Sequence, residues 1–212
     1  DRPVNSRIAL LRSASIAYEC WGELDADRSN AILLFTGLSP PPHAASTPAN
    51  RTEGWWERMI GPGRAIDTER YFVVCVNSLG SCFGSTGPAS INPATGLPYR
   101  LDFPEIAVED IARAGHEVAK SLGISRLAAV MGPSLGGMVA TAFAAVCPGA
   151  ARRLVSISGS PGASAFAIAL RSLQREAVMS DPDWKGGQYD SVATGPRNGM
   201  RLARKLGTIT YR

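Results

Sequence analysis

Short runs of apolar residues recur along the chain. Between them lie stretches with helical spacing or stretches rich in glycine, proline and small polar residues. Residues 15–21 and 31–35 predict strands divided by a polar turn at 23–30, and residues 71–77 predict a third, buried strand. Residues 127–131 and 153–158 predict two further strands. Helical spacing covers 106–122, which stops at Gly123, and also 163–179 and 199–206, while the small apolar stretch 139–146 follows a glycine-rich turn. Strands alternating with helices define a mostly parallel α/β sheet, whose ligands bind outside the carboxyl ends of the strands. Two segments follow strands but carry no periodicity: 36–52, crowded with proline and small residues, and 78–103, dense in glycine, serine and proline. Loops this long inside compact domains are usually functional or mobile, so both are expected at the ligand-binding end of the sheet.

The turn after residues 127–131 reads Gly132-Pro133-Ser134-Leu135-Gly136-Gly137-Met138, a G-x-S-x-G between strand and helix. A serine on such a turn takes a strained backbone conformation, and glycines two residues to either side let neighbouring chain pass close by. The hydroxyl of Ser134 is then presented over the sheet as a candidate nucleophile. The amide of Leu135, at a helix N-terminus, points into the same space and supplies half an oxyanion hole. The loop after Phe35 can supply the other donor, assigned to the Leu38 amide.

Composition narrows the picture only modestly. The chain has 212 residues, 45% hydrophobic and 19% charged, enough for one substantial core and ordinary for a soluble globular protein. No apolar run approaches the roughly 18 residues that span a bilayer, and residues 1–5 show no leader pattern. The net charge of +4 is mild, with basic residues concentrated at Arg197, Arg201, Arg204, Lys205 and Arg212. Two readings fit that cluster, a solvated helix face or contact with an anionic cofactor. No motif supports nucleic-acid binding. The four cysteines, Cys20, Cys75, Cys82 and Cys147, are widely spaced and read as reduced, buried thiols of a cytoplasmic protein, with neither a disulfide framework nor a metal site.

A serine nucleophile needs a base, and this fold orders its triad as Ser, then Asp or Glu, then His. Both histidines, His43 and His116, precede Ser134. His116 falls mid-helix and reads as a partly exposed surface residue. His43 lies in the loop near the proposed oxyanion hole, where a substrate-facing role is open. Asp181, Asp183 and Asp190 follow the serine but sit in a cap-like segment. The expectation is a fragment, inactive alone, whose remaining half carries the acid and the base. Residues 1–162 then form the first part of the core and 163–212 the start of a helical cap.

Several longer blocks go beyond the serine turn. They include Asn77-Ser78-Leu79-Gly80, Gly84-Ser85-Thr86-Gly87-Pro88-Ala89-Ser90-Ile91-Asn92-Pro93 and Leu101-Asp102-Phe103-Pro104. Two more are Asp181-Pro182-Asp183-Trp184-Lys185-Gly186-Gly187-Gln188-Tyr189 and Ala203-Arg204-Lys205-Leu206-Gly207-Thr208-Ile209-Thr210-Tyr211. In content and order they resemble the homoserine O-acyltransferase family of α/β-hydrolase-fold enzymes. The resemblance implies Ser134 as the residue that takes an acyl group from coenzyme A, with Leu38 and Leu135 as oxyanion donors. It implies Arg175 as the arginine that holds the amino-acid substrate, and places Tyr189 in the same cap region. It also implies acyl-coenzyme A as co-substrate with no bound cofactor, small-molecule partners only, no membrane or nucleic acid, and a homodimer.

The loop bearing Pro40, Pro41, Pro42 and His43, and the run Ile168-Ala169-Leu170-Arg171-Ser172-Leu173-Gln174-Arg175-Glu176, resemble the serine O-succinyltransferase branch more than the acetyltransferases. Arg171 and Arg175 are four apart and share a helix face. One guanidinium can hold the amino acid's carboxylate while the other holds the distal carboxylate of a succinyl group; a solvated surface role for Arg171 stays open. The expected activity is ping-pong O-acylation of serine or homoserine, in cysteine or methionine biosynthesis. Homoserine O-acetyltransferase, a plain esterase or thioesterase, and a non-catalytic binding relative are the alternatives.

Overall fold

The computed structural model describes residues 14–191 and 193–209. The segment read for a leader and the last three residues, 210–212, lie outside them. The chain divides into two compact units, residues 1–161 and 162–212.

The first unit is built on a five-stranded sheet. Its strands are β1 (Tyr18–Trp21), β2 (Ala31–Phe35), β5 (Phe72–Val76), β6 (Ala129–Pro133) and β7 (Leu154–Ile157), in the spatial order β1-β5-β2-β6-β7. β1 pairs antiparallel with β5, and every other neighbour is parallel. A separate two-stranded pairing joins β3 (Ile60–Gly61) to β4 (Ile66–Asp67). Two-residue strands carry no alternation to read, which is why the sequence pattern does not announce them.

Successive strand residues point to opposite faces, and the core divides accordingly. Leu33, Phe35, Val74, Val76 and Val130 form one cluster with helix α1 (Val108–Ser121) and helix α2 (Leu135–Val146) through Ile111, Val118, Val139 and Phe143. Ile32, Leu34, Val73, Cys75 and Met131 face the other way, onto Trp21, Ala44, Ala45, Ile60 and Ile66. The two faces are therefore covered differently among the described residues. α1 and α2 share one face, and an irregular, proline-rich segment covers the other. That segment is held by specific bonds: Trp21 Nε1 donates to the Ala45 carbonyl at 3.0 Å and Trp55 Nε1 to the Pro41 carbonyl at 3.0 Å.

The cysteine reading also needs correction. Cys75 and Cys147 are buried, Cys20 is half-buried and Cys82 is exposed; all four are free thiols. Burial, with Glu19 adjacent, pushes the Cys20 thiol up to about 11. Among the described residues no helix is long and apolar enough to cross a membrane.

The second unit is an antiparallel pair of helices, α3 (Ala165–Met179) and α4 (Arg197–Thr208), joined through a 3-10 stretch at Pro182–Gly187. Gly199 and Ala203 let them approach closely. A Cβ on Gly199 would stand 2.2 Å from the Ala177 carbonyl oxygen, and Gln174 Nε2 donates to the Ala203 carbonyl at 2.9 Å.

Candidate active site

Ser134 sits between the end of β6 and the first turn of α2 with φ 54° and ψ −118°, a left-handed conformation that non-glycine residues seldom adopt. The surroundings hold it there. Its amide donates to the Ile157 carbonyl of β7 at 2.8 Å, and its own carbonyl accepts from Met138 at 3.1 Å. The flanking glycines are required by contact. A Cβ on Gly132 would fall 2.4 Å from the Gly136 carbonyl carbon, and one on Gly136 would fall 2.2 Å from the Phe35 carbonyl oxygen. Gly137 is equally confined, by Ser156 Oγ at 2.8 Å and the Gly132 carbonyl oxygen at 3.0 Å. The strain is thus fixed by main chain on three sides, and the serine is left exposed at the carboxyl end of the sheet.

The same close packing brings the exit of β2 against the elbow. Phe35 and Thr36 abut Gly136, and a Cβ on Gly37 would stand 3.9 Å from the Pro133 carbonyl oxygen. Leu38 follows, 70% exposed, so its side chain contributes little packing. Among the described residues neither the Leu38 nor the Leu135 amide is taken up by a backbone acceptor. Two free N–H groups from segments in mutual contact, one at the N-terminus of a twelve-residue helix, can serve a developing oxyanion. Thr36 is buried, and its hydroxyl has no hydrogen-bond partner among the described residues.

The proline loop is anchored rather than open. The Pro40 carbonyl accepts from Asn77 Nδ2 at 3.4 Å, the Pro41 carbonyl accepts from Trp55, and Pro42 is buried. Asn77 also accepts from the Ser81 hydroxyl through Oδ1, so one buried amide at the end of β5 ties the two long loops together. Sequence reading gave Asn77 no role of its own. Its place at the end of a buried strand, facing a run of prolines without donors, is the signal that could have found it.

His43 is similarly committed. Nε2 lies 2.8 Å from the Thr52 carbonyl, and Nδ1 lies 2.7 Å from Glu19 Oε2 on β1. Two acceptor oxygens facing the two ring nitrogens favour the protonated ring. The Thr52 carbonyl and the Glu19 carboxylate raise its pKa above the ordinary histidine range. The substrate-facing role left open for His43 is corrected: neither ring nitrogen is left for a ligand, and the side chain is a clasp between β1 and the loop. Nearby, Glu57 accepts from the Gly54 amide and from the Ser46 hydroxyl and amide, which holds its carboxyl down at about 2. His116 is half-buried in α1, edge-on to Phe143 at 5.5 Å, and burial lowers its pKa. Among the described residues no hydrogen bond joins either histidine to Ser134.

In the second unit, Arg171 and Arg175 are exposed on α3. Arg171 Nη1 donates to Gln174 Oε1 at 2.7 Å, and neither guanidinium has a carboxylate partner among the described residues. Tyr189 packs against Trp184 with ring centroids 5.9 Å apart. Asp181 is an N-terminal anchor for α4, accepting from Gly199 at 2.7 Å and from Asp183 at 3.0 Å. Those amides hold its carboxyl below the usual range.

A mostly parallel sheet with a strained serine at the strand-to-helix turn defines a nucleophile-elbow protein of the hydrolase type. The family model described as alpha/beta hydrolase fold matches residues 31–212, and the chain belongs to that family. Among individual proteins, it is 64% identical over 202 residues to a serine O-succinyltransferase of Stenotrophomonas maltophilia (strain K279a), covering 95% of this chain and 54% of that protein. Its fold is similar to that of a homoserine O-acetyltransferase from Bacillus anthracis, with TM-score 0.87 and 38% identity over 92% of this chain and 54% of the other. The esterase E22 is also similar, with TM-score 0.84 and 36% identity over 92% of this chain and 55% of the other. The likeness to homoserine O-acyltransferases read from the motifs is therefore matched by relatives of that kind. The chain spans about half the length of the curated relatives it matches.

Proposed function

We propose that the protein carrying this sequence transfers a succinyl group from succinyl-coenzyme A to the hydroxyl of L-serine. The 64% identity to a serine O-succinyltransferase carries the choice of donor and acceptor. The elbow geometry supports the chemistry. Ser134 Oγ attacks the thioester carbonyl while its proton passes to a general base, and the Leu38 and Leu135 amides receive the oxyanion. The tetrahedral intermediate collapses, the carbon–sulfur bond breaks, and coenzyme A leaves as the thiol. The serine hydroxyl then attacks the acyl-enzyme, gives up its proton to the same base, and releases Ser134. In this reading the base is a histidine supplied by sequence outside these 212 residues, since His43 and His116 are engaged elsewhere.

Substrate selection is assigned to α3. Arg175 pairs with the amino acid's carboxylate, and Arg171, freed from Gln174, pairs with the far carboxylate of the succinyl group. Tyr189 belongs to the same substrate region. The product carries a carboxylate ester in place of a poor hydroxyl leaving group, which suits later displacement by sulfur in cysteine biosynthesis. A cytoplasmic location and a homodimer belong to the same proposal.

The likeness to esterase E22 supports a second reading, hydrolysis of the acyl-enzyme by water. Thiol release from succinyl- and acetyl-coenzyme A by the full-length protein, with serine, with homoserine and with no acceptor, decides between them. Release that requires serine and succinyl-coenzyme A is expected. A homoserine preference would move the assignment within the family, and equal release without acceptor would make the protein a hydrolase.

A further inference from the structure

α4 carries Arg197, Arg201, Arg204 and Lys205 and no acidic residue. At about 100° per residue these four fall within about 100° of arc, on the side away from Gly199 and Ala203, which face α3. All four are exposed, and none has an ion-pair partner among the described residues. A solvated face would gain from interspersed acids at four-residue spacing; here like charges stand together. Beside them the surface is concave. A cleft of about 370 Å³ runs where that face meets the α3 side, lined by Ala177, Ser180, Asp181, Gly199, Arg201 and Lys205 among others. The Asp181 carboxylate is occupied by the Gly199 and Asp183 amides, so its oxygens are taken up by the start of α4.

We infer that this cleft and the basic face beside it bind the phosphate groups at the nucleotide end of the acyl-coenzyme A donor. The inference rests on the transferase reading above, which requires a donor with a pyrophosphate and a ribose phosphate remote from the reacting thioester. Arg201 and Lys205, one turn apart at the mouth, are the principal contacts. Arg197 and Arg204 extend the field along the helix. Guanidinium and ammonium groups suit phosphate oxygens through charge-assisted bonds. The cleft's size suits an adenosine phosphate group rather than an isolated small anion.

The test uses the full-length protein and two readouts. Calorimetry follows adenosine 3′,5′-bisphosphate binding to wild type and to the double variant Arg201→Gln, Lys205→Gln, with Arg201→Lys as the charge-preserving control. Steady-state kinetics compares succinyl-coenzyme A with succinyl-pantetheine, which lacks the nucleotide. The double variant should bind the bisphosphate about ten-fold or more weakly. It should raise KM for succinyl-coenzyme A by a similar factor at unchanged kcat, and leave KM for succinyl-pantetheine alone. Arg201→Lys should keep most of the affinity.

Unchanged bisphosphate binding in the double variant overturns the site. So does wild-type affinity for inorganic phosphate or anionic vesicles equal to that for the bisphosphate. Should Arg201→Gln, Lys205→Gln fail to melt cooperatively, Arg201→Gln alone is read by the same two criteria. The binding readout is independent of turnover. Bisphosphate binding that needs Arg201 and Lys205, without transfer from any coenzyme A thioester, keeps the site and rejects the activity.

Discussion

The carbonyl oxygen of Phe35 lies 2.2 Å from where a Cβ on Gly136 would be. This contact joins the exit of β2 to the first turn of α2. It sets the segment that continues to Leu38 beside the turn that carries Ser134 and Leu135. The proposed nucleophile and both proposed oxyanion donors therefore depend on one glycine.

Gly136→Ala should separate those segments, because the obstructing atoms are main chain on both sides and cannot rotate away. The expected loss is about 3 kcal/mol of stability, the upper end for overpacking, with a larger fractional loss of activity. Thermal melting and thiol-release assays check it, and a variant that melts and turns over like wild type would show that β2 and α2 can part without consequence.

Arg171→Ala should discriminate between donors. Loss of a charge-assisted pair with the distal carboxylate is worth about 1.5–3 kcal/mol, a rise of roughly ten- to a hundred-fold in KM for succinyl-coenzyme A. Acetyl-coenzyme A offers no such carboxylate, and its KM should stay constant. Equal effects on both donors would return Arg171 to a solvated surface role.

The His43 clasp predicts a pH dependence of stability. The folded-state pKa is raised by Thr52 and Glu19. The clasp therefore stabilises fully below the unfolded value near about 6.5 and fades as pH rises through the folded value. The melting-temperature gap between wild type and His43→Gln should be largest at about pH 5.5 and shrink by about pH 9. A gap independent of pH would mean that the ring acts by shape alone.

Much of this was legible from local pattern. The buried runs that became β2, β5 and β6 announce themselves because most of their positions are apolar, and the elbow does so because only glycine tolerates the contacts at 132 and 136. α1 and α3 follow from spacing. What stayed hidden depends on partners far apart in sequence. Glu19 meets His43 only because β1 pairs with β5 at one edge of the sheet, and Asn77 meets Pro40 only after two loops converge. Cys82 looked like its buried counterparts, yet it falls in an exposed part of a loop, where composition says nothing of accessibility. β7 follows from its apolar run as a strand, but the run does not tell its exposure: Leu154 and Val155 are 43% and 40% exposed at the margin of the described sheet, where β6 is the strand's sole partner.

Ser134 is the residue proposed to carry the acyl group. Brief mixing of the full-length protein with succinyl-coenzyme A, acid quench and peptide mass spectrometry tests it directly. A succinyl group on the peptide containing Ser134, discharged by added serine and absent from Ser134→Ala, is the predicted result. Continued thiol release with no adduct on that peptide, or an unchanged adduct in Ser134→Ala, would contradict it.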